Sequence, residues 1–70
     1  MNVKTQARIK VRKLLKENIR GHNKWEMYTQ IFAEMDKRRI TLKEICAIAE
    51  SLGVPGCVIE MRRNDLLKMA

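Results

Sequence analysis

The side chains able to do chemistry in this 70-residue chain are mostly cations. Lys4, Arg8, Lys10, Arg12, Lys13, Lys16, Arg20 and Lys24 fall within the first 24 residues, opposed only by Glu17, and they account for the whole net charge of +7. From residue 25 onward, seven basic and seven acidic residues cancel. Charge of one sign concentrated on one element suits a polyanion, and phosphate oxygens are natural partners of ammonium and guanidinium groups. A solvated outer helix face and a membrane-surface helix are the competing readings of the same segment. The missing acids argue against the first, and the lack of an aromatic anchor on the apolar side argues against the second. A further basic corner, Lys37-Arg38-Arg39, follows an apolar stretch, where it suits either the negative end of a helix dipole or a phosphate.

Other chemistries lack their residues. His22 is the single histidine and has no Ser, Cys or carboxylate motif beside it. Cys46 and Cys57 make neither a disulfide framework nor a zinc ligand set, so no metal and no cofactor is expected, and a reducing cytoplasm is the expected location. There is no glycine-rich phosphate loop and too little chain to enclose a reaction, so an enzyme is not expected. No apolar run is long enough to span a membrane, and Lys and Arg interrupt the apolar residues near the start, so neither a span nor a secretory signal is expected.

These side chains must be held by helices. Ala7, Val11, Leu14, Leu15 and Ile19 recur on one stripe, with Arg12, Lys13, Lys16 and Arg20 opposite, which predicts a first helix over about residues 5–20. Thr5 is its expected cap, residues 1–5 its frayed lead, and Gly21 its end. Asn23, supported by Glu26, is the expected cap of a second helix over about residues 24–37. On it Trp25, Tyr28, Ile31, Phe32 and Met35 form the expected core stripe, with Trp25 at the first turn half exposed. With 46% apolar residues and few aromatics, the core must be aliphatic with methionine filler. A core this small is marginal, and dimerisation is a common remedy.

The remaining stretch, ITLKEICAIAESLGVPGCVIEMRR, reads as helix, turn, helix. Thr41 and Glu44 have the spacing of a capping box. Leu42, Ile45, Cys46, Ala49 and Leu52 give the helix its apolar face, and Gly53 ends it. Pro55 suits the first position of a last helix, on which Val58, Ile59, Leu66 and Leu67 supply the buried side.

The run A-E-S-L-G-V-P-G-C-V-I resembles the core of helix-turn-helix DNA-binding proteins of the small phage or plasmid regulator type. Ala49 stands at the small-residue crossing, Gly53 in the turn, and Val54 and Ile59 where apolar residues are wanted. The resemblance spans Thr41–Arg63, about a third of the chain. Arg62 departs from it at a usually apolar position, and the first helix is long, with Thr41 twelve residues before Gly53. The resemblance implies that the last helix enters the major groove of duplex DNA with Gly56, Cys57, Glu60, Met61 and Asn64 outward. Cys57, Glu60 and Asn64 would then face bases, with Asn64 suited to adenine and Glu60 to the cytosine amino group. No Arg or Lys stands in the first turn, so affinity would rest on phosphate contacts from Lys4, Arg8, Lys10, Arg12, Lys13, Lys16, Arg20, Arg38, Arg39 and Arg63.

The expected protein is therefore an all-α single domain of about four short helices with a helix-turn-helix-like C-terminal half. The expected function is a small DNA-binding regulator or accessory factor, with a homodimer in view. Two alternatives stay open: an interaction factor of inhibitor, antitoxin or phage accessory type docking on an acidic protein, and an RNA binder.

Overall fold

The first helix starts earlier than the sequence suggests. In the computed structural model, which describes residues 2–18 and 24–69 (for Asn18, the backbone alone), α1 runs Val3–Asn18. Asn2 is the cap: its Oδ1 accepts from the Thr5 N–H at 2.8 Å. An asparagine carbonyl satisfies a free first-turn donor as well as a threonine hydroxyl does, so Thr5 lies inside the helix and residues 2–5 are not a frayed lead. Ile19, Arg20, Gly21, His22 and Asn23 lie outside the described residues, and with them the expected turn and the expected Asn23 cap.

The second helix, α2 (Lys24–Asp36), stops one residue short of its expected end, and Arg38 is the reason. Its φ is +59°, the left-handed conformation usually left to glycine. The Arg38 N–H then donates to the Met35 carbonyl at 2.9 Å and the Arg39 N–H to the Glu34 carbonyl at 3.1 Å. That is a Schellman ending with arginine at the glycine position.

The third helix, α3 (Leu42–Ser51), ends the same way with the usual residue. Gly53 has φ +86°, its N–H donates to Glu50, and the Val54 N–H donates to Ala49. At its start the capping box is formed: Glu44 N–H donates to Thr41 Oγ1 at 3.2 Å, and Thr41 N–H to Glu44 Oε1 at 3.3 Å. The last helix, α4 (Gly56–Met69), begins one residue after Pro55 rather than at it.

Helices α1 and α4 each pack on both α2 and α3, with α3 and α4 in the closest association. The core is aliphatic, as composition requires: Val11, Leu15, Ile31, Ile45, Ala49 and Ile59 are all but sealed from solvent. Tyr28 and Phe32 stack within it, ring centroids 6.1 Å apart. One expected core position, Leu67 on α4, is wrong: it is 58% exposed. On α2 the buried turn also carries Met27, while Trp25 is 45% exposed, as its first-turn position predicts, and lies beneath the Arg62 guanidinium, 5.7 Å from its ring centroid. Ile48 and Glu34, not expected inside, are buried. No strand occurs among the described residues, and no helix there is long and apolar enough to cross a membrane.

Candidate nucleic-acid interface

The fold sorts the cations by whether an acid already holds them. On α1 the buried stripe is Ala7, Val11 and Leu15. At 3.6 residues per turn, Arg12, Lys16 and Lys13 then fan over roughly 100° of the opposite side. All three are exposed, and none joins an ion pair among the described residues. Lys4 and Arg38 are also exposed and outside those pairs. With Ile40 and Glu44 they border a cleft of about 290 Å³ at the start of α3.

Arg8, Lys10 and Arg39 are committed within the fold. Arg8 Nε donates to Glu44 Oε2 at 2.6 Å, tying α1 to the first turn of α3. Lys10 Nζ donates to Glu34 Oε1 at 2.8 Å, and Arg39 Nη1 donates to Glu34 Oε2 at 3.4 Å. Glu34 is 3% exposed, so its carboxylate needs both partners, whereas the two cations are half in solvent. Its position, three residues after Ile31 on the buried side of α2, was the sequence signal for it. Arg63 lies half-buried in a groove against α2, with Phe32 and Leu66. Arg20 lies outside the described residues.

The Lys10 hydrogen bond holds the Glu34 carboxyl below its ordinary pKa, with the charges of Lys10, Arg39 and Lys37 adding to it and burial opposing. Glu44 is lowered chiefly by its hydrogen bond from Arg8. Both groups bind protons more weakly folded than unfolded. Their contribution is therefore full above the ordinary glutamate value, about 4.3, and is lost as pH falls through the lower folded-state values. Glu34→Gln should cost about 1 kcal/mol at neutral pH, discounted because both cations remain solvated, and should flatten the stability loss between about pH 5 and pH 3. Urea unfolding of the two proteins across that range checks this.

The outward side of α4 carries Cys57, Glu60, Met61, Asn64 and Lys68, all exposed. Gly56, expected among them, is buried: a Cβ there would stand 2.6 Å from Glu50 Oε1 and 3.2 Å from Cys46 Cβ. It is the point where α4 starts against α3, and Cys46 Sγ donates to its carbonyl at 3.5 Å. Arg62, the residue at odds with the apolar pattern, has its charged end over Trp25 and 3.5 Å from Asp65 Oδ2. An arginine stem can serve there because its methylenes cover apolar surface while its head stays wet. Burial pushes the Cys46 thiol up, with Glu60 and Glu50 adding to it, which makes it a poor nucleophile. Among the described residues no three His, Cys, Asp or Glu side chains gather as a metal site would need.

The arrangement thus offers, among the described residues, a basic face on α1 outside any ion pair, a basic cleft at the head of α3, and an outward α4 face with one acid and one base. Set against known protein families, curated proteins and solved structures, the chain matches none of them.

Proposed function

We propose that this protein is a small DNA-binding factor of the transcription-regulator kind, in which α3, the Gly53 turn and α4 act as a helix-turn-helix. The observation that carries the proposal is the basic face of α1: Arg12, Lys13 and Lys16 are exposed, with no acid among the described residues holding them. Phosphate contacts from these three, together with Lys4 and Arg38, would supply most of the affinity. Two further features support the proposal. Ala49 and Ile59 are fully buried, Gly53 has the left-handed turn conformation, and Cys57, Glu60 and Asn64 face outward from α4. Arg38 also keeps a conformation that costs a non-glycine residue about 1 kcal/mol, the kind of strain found where a side chain serves a ligand.

Base preference is assigned to α4. Selection from a randomised duplex pool should enrich a short site. Asn64→Ala and Glu60→Ala should each relax it at a different position, by about 1–3 kcal/mol for a lost base contact, without changing the salt dependence. A pool that enriches nothing, or variants that select the same site, would remove α4 from the reading role.

A second reading, docking on an acidic protein, is favoured by one observation: the outward α4 face bears Met61 and Glu60 and no arginine. That reading expects a stoichiometric polypeptide at purification and weak affinity for duplex DNA. An RNA target would be revealed by structured RNA competing far better than duplex.

A further inference from the structure

Apart from α1, the molecule has a second candidate interaction surface. A groove of about 330 Å³ runs between the end of α2 and the end of α4, floored by Phe32, Met35 and Leu66. Leu67 stands at its edge, 58% exposed. Asp36 and Arg63 also line it, and neither belongs to an ion pair among the described residues. No residue of α1 takes part.

We infer that the groove is the contact face of a twofold homodimer. A twofold interface brings one patch against itself, so the patch must hold both halves of every contact. This one does. It has a cavity and, on its rim, an apolar side chain to enter the partner's cavity: Leu67. It also has one acid and one base, so Asp36 of each copy meets Arg63 of the other and the pair forms twice. Charge argues for a second copy over a foreign partner. An acidic protein would be drawn to α1, where the net charge lies, while the groove has no net charge to attract it. Joining copies through α2 and α4 also leaves the α1 helices out of the contact, where their like charges would oppose association. For a chain this short, covering the groove adds apolar burial that the single copy lacks. The inference holds whether or not DNA is the ligand.

Sedimentation equilibrium on the whole chain without nucleic acid tests it. The wild-type protein should show a monomer–dimer equilibrium below about 100 µM. Leu67→Glu should leave the helical circular dichroism unchanged, because Leu67 is mostly exposed, and should weaken the dimer at least 100-fold. Asp36→Arg and Arg63→Asp should each weaken it about 10–30-fold by setting like charges together, and the double variant should return to within about threefold of wild type. A chain that stays monomeric up to that concentration overturns the inference and leaves the groove to another occupant or to solvent. A dimer indifferent to Leu67→Glu overturns it as well, because the contact then lies elsewhere. Failure of the double variant to restore association overturns the assigned pairing of Asp36 with Arg63.

Discussion

Replacing Arg12, Lys13 and Lys16 together by alanine is expected to reduce the slope of log affinity against log salt by about 2.7, since each phosphate contact on duplex DNA contributes roughly 0.9. Between 50 and 200 mM salt the wild-type protein should then lose roughly 40-fold more affinity than the variant. The fold should survive, because the three side chains are exposed and leave no buried acid behind. The loss should be the same on every sequence, because phosphates carry no base information. Fluorescence anisotropy with labelled duplexes of two unrelated sequences reads all of this. An unchanged slope would mean that α1 does not touch the backbone. Arg8, Lys10 and Arg39 would make a poorer test: removing them frees Glu44 or Glu34, and the stability change would mix with the binding change.

The second large effect is on the fold. Ile59→Ala should destabilise by about 3 kcal/mol, the lost transfer energy plus the cavity left in a packed site. Ile59 is the one large side chain of α4 that is fully buried, and it reaches the cluster that Ile45 and Ala49 build on α3. A chain of 70 residues has a total stability of about 4–10 kcal/mol, so roughly a third to three quarters of it would go. The melting temperature should fall by roughly 12–24 °C. Ile9→Ala, at a half-exposed position on α1, should change stability by less than about 0.5 kcal/mol. Thermal melts followed by circular dichroism compare them. Equal effects would mean that α4 is not anchored through Ile59.

What was legible in the sequence was whatever local chemistry decides. The capping box at Thr41 and Glu44, the Gly53 exit, the Ala7, Val11 and Leu15 part of the α1 stripe and the all-helical class of the described residues all rest on near neighbours, and all are present. What was not legible depends on groups far apart in the chain. The left-handed Arg38 has no glycine to announce it. The half-exposed Trp25 is expected, but the guanidinium over its ring, from Arg62 on α4, lies 37 residues on. Glu34's place on the buried side of α2 had a sequence signal, but its partner Lys10 comes from α1, 24 residues away. The basic face shows the same division. Composition located the charge on the first third of the chain, but only the fold separates Arg12, Lys13 and Lys16, which join no ion pair among the described residues, from Arg8 and Lys10, which are used to hold helices together.

The most direct test of duplex binding is a titration of wild-type protein against a labelled mixed-sequence DNA duplex across a salt series. The five exposed cations assigned to phosphate contact (Lys4, Arg12, Lys13, Lys16 and Arg38), none in an ion pair among the described residues, set the expected log–log slope near −4.5, at about 0.9 per contact, with micromolar or tighter affinity at low salt. A dissociation constant weaker than about 10⁻⁴ M at 50 mM salt, or a slope near zero, would contradict duplex binding and turn the basic helix toward a protein partner.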